Sequence, residues 1–439
     1  MEFLQNIWWY LVLIGVMILI HELGHFWAAR FFDVKVETFS FGFGPRLFGF
    51  RRGETDFRFS LILFGGYVKM AGEQLGDEAG QDPRSLLAKP RWQRLIIAFA
   101  GPFINIVLAV VLLTGLFMAH YEKMPMPNSP LVGEVDKDGA AFKAGIREGD
   151  RVVQFDGIEN PTWEDIALKE ISSAKQAMEV RVQRGEEKLR FMVTPALDEK
   201  HGVGYAGWVQ EAEVLVADFV PGIDVSEKAG LKKGDVLMSI NGQPMRSRSK
   251  LHKILEETNG KPVEIGYMRN GERHTVSITP VRHTNDGAER WMIGVALQTR
   301  MDIVKLPLAE AFRKSMRTNG QSAKLIFKFL EGIVERRMSA KSLEGPIRIA
   351  QLSGQAAREG PATYVGLMAA VSLNLAIFNL LPIPILDGGV MLMLAVEMLL
   401  RRDLSLRIKE AIVRVGFVFL MMVVVFVLYN DIAKMLPQG

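Results

Sequence analysis

The chain has 439 residues, of which 49% are hydrophobic and 23% charged, and its mean hydropathy is +0.14. That is too apolar for an average soluble protein and too charged for a pure membrane bundle, so membrane helices joined to water-exposed domains are expected. The net charge of +4 predicts no nucleic-acid partner, because Lys and Arg flanking membrane helices account for the excess, and the absence of cysteine excludes a disulfide framework, thiolate metal ligands and a cysteine nucleophile.

Four segments are apolar over the ~20 residues that a helix needs to cross a bilayer: residues 7–28, 95–119, 362–386 and 415–429. The first begins Met-Glu-Phe without a basic stretch and ends in a His-Glu pair, not in a small-residue cleavage site. It reads as a membrane helix and not as a removable signal peptide. The fourth is short and needs part of the 412–414 turn, or a thin bilayer, to span. Arg30, Lys35, Arg46, Arg51, Arg52, Arg91 and Arg94 fill the first connection, and Arg401, Arg402, Arg407, Lys409 and Arg414 the third, whereas residues 1–7 carry none. The positive-inside rule therefore predicts that both short connections are cytoplasmic and that the middle segment, 121–361, lies on the far side with both termini.

That middle segment holds an internal repeat. Ala144-Gly145-Ile146-Arg147-Glu148-Gly149-Asp150 recurs 85 positions later as Ala229-Gly230-Leu231-Lys232-Lys233-Gly234-Asp235, and Asp156-Gly157 recurs as Asn241-Gly242 at the same offset. A constant offset of this size means two copies of one small domain. In each, the Ala-Gly turn leads into a short apolar strand, 151–155 or 236–240, and then into a hairpin-type turn. The copies resemble PDZ domains of the bacterial, circularly permuted kind, and neither contains a Gly-Leu-Gly-Phe carboxylate loop. After them, residues 309–337 have helical spacing, with Phe312, Met316, Ile326, Phe327 and Leu330 apolar among Lys and Arg. Such a helix lies in a membrane interface or packs on the domains.

His21-Glu22-Leu23-Gly24-His25 closes the first apolar segment. Residues four apart share a helix face, so both imidazoles reach one zinc ion while Glu22 stands beside it, placed to take a proton from a water. A carboxylate inside a membrane helix costs ~2.5 kcal/mol or more on insertion scales, which makes a functional reason the default. Only two of the seven histidines lie in the apolar segments, so a carboxylate is expected as third ligand. Asp387 is the candidate: it follows Pro382 and Pro384, which break the third helix, and precedes Gly388-Gly389. Capping the resumed helix is the plainer role for the same residue.

His21-Glu22-x-x-His25 in a first membrane helix, Leu386-Asp387-Gly388 in a third and two PDZ-like domains between them resemble the site-2 protease family of intramembrane zinc metalloproteases, over nearly the whole chain. The resemblance implies His21, His25 and Asp387 as zinc ligands and Glu22 as catalytic base. It matches Asn379 to the family's Asn-x-x-Pro segment, placing it at the substrate or oxyanion, and sets Asn105 of Gly101-Pro102-Phe103-Ile104-Asn105 near the centre; an inter-helix bond at Asn379 and helix packing at Gly101 are the alternatives. It further implies that residues 39–46 and 57–68, whose alternation alone reads as a hairpin, form a re-entrant β element in which Gly65, Gly66 and Tyr67 meet an unwound substrate by strand addition. The expected fold is a bundle of four transmembrane helices with that element, plus two α+β PDZ-like domains. Its parts are 1–33 (first span), 34–92 (cytoplasmic or re-entrant β region), 93–120 (second span), 121–212 and 213–300 (PDZ-like domains), 301–361 (amphipathic and linker helices), 362–400 (third span) and 401–439 (loop and fourth span). By the resemblance, substrates are single-pass membrane proteins already trimmed by another protease, an anti-sigma factor foremost and remnant signal peptides next, cut at a zinc centre towards the cytoplasmic side of a bacterial inner membrane. A membrane-anchored PDZ scaffold and a zinc transporter are the competing classes, although the second and fourth segments lack the extra His or Asp that a transporter needs.

Overall fold

The computed structural model describes residues 2–73, 82–123, 130–198, 202–285, 288–340 and 343–435. The chain divides into two compact units: Met1–Tyr121 with Lys305–Phe327 and Leu343–Gly439, and Glu122–Val304 with Lys328–Ser342.

The first unit is built on α1 (Glu2–Phe31), α2 (Arg91–Ala119), α3 (Pro346–Glu359), α4 (Pro361–Leu380), α5 (Asp387–Leu400) and α6 (Leu406–Met435). Four of these, α1, α2, α4 and α6, are long and apolar enough to cross a membrane, where a helix alone satisfies its own backbone. All begin ahead of the apolar segments read from the sequence. The difference matters most for α6, whose polar first turns from Leu406 supply the length that 415–429 lacks. The third segment is not one helix: α4 stops at Leu380, residues 381–386 carry both prolines outside any helix, and α5 resumes at Asp387. Glycine sets the crossing of α1 and α2, since a Cβ on Gly24 would stand 2.4 Å from the Ala100 carbonyl oxygen. Asp431 of α6 caps α3, its two oxygens accepting from Gly345, Ile347 and Arg348 amides at 2.9, 3.0 and 3.2 Å.

Between α1 and α2 lie β1 (Val36–Arg52) and β2 (Thr55–Met70), joined by a tight turn with Gly53 at φ +61°. Each strand folds back on itself. Arg52 pairs with Thr55 and Phe48 with Phe59, then Phe41 pairs with both Phe59 and Gly66, and Val36 with Met70. The four segments therefore lie in the order 65–70, 36–41, 55–60, 46–52, leaving residues 65–70 as an edge with one side unpaired among the described residues.

The helix Leu308–Val334 buries Ala311, Ser315 and Asn319, packs Ala323 and Ile326 against Ala109, Leu373 and Ile377, and donates from Ser315 Oγ to the Val110 carbonyl at 2.9 Å. It thus lies on α2 and α4, and neither reading from the sequence, interface or domain packing, anticipated that contact.

The second unit is β-rich. Strands Arg151–Phe155, Met178–Arg184 and Glu187–Val193 form one sheet with Ile158–Glu159 at its edge, while Val214–Phe219, Val236–Ile240, Val263–Arg269, Glu272–Ile278 and Val295–Thr299 form a second. Each copy has its own core, around Phe155 and Val180 in one and Ile240 and Ile265 in the other. A feature absent from the sequence reading repeats with them. Buried Asp150 accepts from Arg184 Nε and Nη2 at 2.7 and 2.8 Å and from the Arg147 amide at 2.8 Å. Asp235 accepts from Arg269 Nε and Nη2 at 2.7 Å each and from the Lys232 amide at 2.7 Å. Burial raises the Asp235 carboxyl, yet the Arg269 guanidinium outweighs it and holds the group below the usual carboxylate range.

Candidate metal centre

α1 brings His21 and His25 one turn apart on its α2-facing side, both buried, and the break at 381–386 lets α5 start with Asp387 opposite them. His21 Nε2 lies 3.1 Å from Asp387 Oδ2, His25 Nε2 lies 3.4 Å from Oδ1, and the two Nε2 atoms lie 3.2 Å apart. One donor atom from each of the three side chains falls within 4.8 Å of the others. The tetrahedral geometry of zinc, with ligands at about 2.0–2.1 Å, places neighbouring ligand atoms about 3.3 Å apart, so this donor set has the spacing that zinc requires and leaves a fourth position open.

The far side of each imidazole supports the same fit. His25 Nδ1–H donates to the Ile97 carbonyl of α2 at 2.8 Å, which leaves Nε2 as the lone pair facing the cluster. His21 Nδ1 lies 3.3 Å from Asn105 Nδ2, while Asn105 Oδ1 is buried without a hydrogen-bond partner among the described residues. Amide oxygen and nitrogen are assigned from their surroundings. Turned over, Asn105 accepts the His21 Nδ1–H, satisfies its own oxygen and frees His21 Nε2 in turn. Gly101 leaves the room: a Cβ there would stand 2.3 Å from His25 Nε2 and 2.8 Å from His21 Nε2.

These three donors sit in the wall of a cavity of about 1050 Å³, which Glu22, Gly65, Gly66, Tyr67 and Asn379 also line. A Cβ on Gly66 would meet Glu22 Cγ at 3.2 Å, so the unpaired strand edge runs directly past the glutamate. Asn379, in the last turn of α4, points Nδ2 to within 3.4 Å of His21 Nε2. Asn105, expected near the centre, is fully buried behind His21 and approaches the His21 ring. Its carbonyl also accepts from Ser372 Oγ at 2.8 Å, tying α2 to α4 at the level of the centre.

The cavity also contains residues that the motifs did not reveal. Arg94, Glu397, Asp403 and Lys409 line its other end, where Lys409 Nζ meets Glu397 Oε1 at 2.6 Å and the Leu404 amide donates to the same oxygen at 2.9 Å. Arg94 stands two turns of α2 before Gly101 and Glu397 ten residues after Asp387, while Asp403 lies in the loop after α5 and Lys409 at the start of α6, a spread too dispersed to form a motif.

Two imidazoles and a carboxylate converging on one point, among helices that cross a bilayer, define a zinc metallopeptidase that works inside the membrane. Sequence comparison places the chain within that class. The model of peptidase family M50 matches residues 9–423, and the chain belongs to this family, as a zinc metalloendopeptidase of the site-2 type. A Xylella fastidiosa protein assigned by name to the zinc metalloproteases is 31% identical, over 98% of this chain and 99% of its own. The regulator of sigma-E protease of Salmonella typhimurium is 30% identical over 99% of this chain and all of its own length, and that of Haemophilus influenzae 29% identical over the same shares.

Proposed function

We propose that the chain hydrolyses peptide bonds in or near the membrane segment of single-pass proteins that another protease has already trimmed, with His21, His25 and Asp387 as zinc ligands and Glu22 as catalytic base. The observation that carries this reading is the convergence of those three side chains in the wall of a cavity that Glu22 and an unpaired strand edge also line. When bound, zinc supplies Lewis-acid chemistry, polarising the scissile carbonyl and bringing the pKa of its water towards ~7. Glu22, next to His21 on α1 and lining the same cavity, takes the proton of the attacking water and hands it to the departing amine. Asn379 donates from Nδ2 to the oxygen that gains charge. A helical substrate hides its amides in bonds four residues apart, so it unwinds and pairs with residues 65–70, where Gly65 and Gly66 admit a second backbone and Tyr67 flanks it.

In this reading the β1–β2 hairpin re-enters the membrane, and both repeat copies are PDZ-like domains that act as a size filter on the periplasmic side of the inner membrane, with the termini. The domain bounds are those expected from the sequence. The relatives that regulate sigma E make an anti-sigma factor the first candidate substrate, remnant signal peptides the second. The test is cleavage of a tagged single-pass substrate lacking its outer domain, by the native chain and by Glu22→Gln in the same membranes, with bound zinc quantified in both. Retained zinc with abolished cleavage is the expected result; undiminished cleavage by the variant refutes the mechanism.

A further inference from the structure

Beyond the side chains of the centre itself, the cavity at the metal centre has one charged lining group with no ion-pair partner among the described residues. Apart from His21, His25, Asp387 and Glu22, its charged lining groups are Glu73, Arg94, Glu397, Asp403 and Lys409. Four of these neutralise one another: Lys409 Nζ lies 2.6 Å from Glu397 Oε1, and Arg94 Nη2 lies 3.7 Å from Glu397 Oε2 and 3.6 Å from Asp403 Oδ1. Glu73 is left. The two cationic groups whose charge reaches it, Lys69 and His25, are placed against Glu37 at 2.9 Å and Asp387 at 3.4 Å; Glu73 itself is exposed and accepts at Oε2 from the Met70 amide at 3.0 Å.

That bond fixes where the carboxylate stands. Met70 ends the edge segment 65–70, which lines the cavity with Gly66 against Glu22. Glu73 is therefore held four strand positions from Gly66, roughly 13 Å at about 3.3 Å per residue. A chain laid along this edge with its scissile bond beside Glu22 brings a residue some three to five positions away, at about that rise per residue, next to Glu73.

We propose that Glu73 is a specificity-determining residue that receives a Lys or Arg side chain of the substrate, roughly three to five residues from the scissile bond. The inference rests on the proposed function, a single-pass chain paired along β2. An exposed carboxylate in the cavity wall, with no ion pair of its own, is electrostatically complementary to a cationic group and opposed to an anionic one. The cation has a general source, because membrane segments leave the bilayer on the cytoplasmic side through Lys and Arg. The connection that carries Glu73 lies on that side in the proposed orientation. Glu73 thus reads the basic flank of a membrane segment and sets how far the segment is drawn towards Glu22.

The test uses three versions of one single-pass substrate, with Lys, Ala or Glu at the position that faces Glu73. Each is cleaved in membranes by the native chain, Glu73→Gln and Glu73→Lys, with bound zinc quantified throughout. The native chain is expected to favour the Lys over the Glu substrate roughly tenfold in kcat/KM. Glu73→Gln should erase that preference and Glu73→Lys should invert it, with zinc unchanged. If the reversed variant does not accumulate, the nearly isosteric Gln variant decides alone. Preference for Lys surviving in Glu73→Gln, or a single common loss on all three substrates, overturns the inference. Failure of the native chain to cleave any of them instead refutes the proposed function.

Discussion

Gly101 offers a way to damage the metal centre without changing any ligand. A methyl carbon at this position would stand 2.3 Å from His25 Nε2 and 2.8 Å from His21 Nε2, against about 3.5 Å for a relaxed contact. To regain that distance from His25, Gly101→Ala must move the ring, or part α1 from α2, by about 1 Å, several times the ±0.2 Å tolerance of a metal–ligand bond. The helices cannot absorb the shift easily, because Gly24 already lies so close to the Ala100 carbonyl that a Cβ would be 2.4 Å away. The loss of zinc affinity should at least equal the roughly 10–100-fold cost of removing an outer partner of a ligand, about 1.4–2.8 kcal/mol. Competition with a graded series of chelators, on purified protein in lipid, measures it. Gly115→Ala is the control: it lies on the same helix with nothing within 4 Å of its added carbon, and it should bind zinc as the native chain does. Affinity within twofold of native in Gly101→Ala would refute the claim that His21 and His25 hold the metal against α2.

Asn105→Leu keeps the volume and removes the partner of His21 Nδ1, so zinc affinity should fall roughly 10–100-fold, whereas Asn105→Asp, which still accepts, should lose less; equal affinities in the two variants, by the same chelator competition, would leave Asn105 without a positioning role. In the second unit, buried Glu170 accepts from the Ala206 amide at 2.5 Å and from Trp208 Nε1 at 2.8 Å, and burial pushes its carboxyl above the ordinary range although both bonds pull it down. A raised folded pKa means that its contribution to stability is present below the unfolded value and lost as pH rises through the folded one. Protection of the 206–208 amides from hydrogen exchange, corrected for the intrinsic pH dependence, should decline less steeply across that window in Glu170→Gln, and an unaltered pH slope would count against the assignment.

The parts of the site that share a helix were legible in the sequence, and those assembled from different elements were legible only in outline. His21 and His25 follow from helical periodicity, and Asp387 from the need for a third donor beside a broken helix. The strand edge required more. Alternation over 39–46 and 57–68 indicates a hairpin, but a register in which Phe41 pairs with both Phe59 and Gly66 depends on each strand doubling back, and nothing in a period of two announces that. Glu73 looks like a loop acid until β2 is seen to end at Met70. The Asp150–Arg184 and Asp235–Arg269 clasps escaped because the repeat is clear where turns demand Gly and Asp and faint along strands, where many residue types suit a pleated surface.

Under the proposed function, the doubled hairpin also answers an energetic problem that helices cannot solve. Unwinding one turn of a membrane helix strips several amides of their bonds, each costing several kcal/mol in hydrocarbon. Another helix offers no replacement, because its own backbone groups are already paired. An edge strand presents unpaired N–H and C=O groups at alternate residues, and 65–70 does so beside Glu22. Its opposite side is paired to 36–41, which would fix it for the substrate pairing proposed above. Residues 381–386 are free of helix, and Ile385 and Leu386 at their end line the cavity: irregular backbone is tolerated in a membrane protein where it lines a cavity, and here it lets Asp387 reach the two histidines.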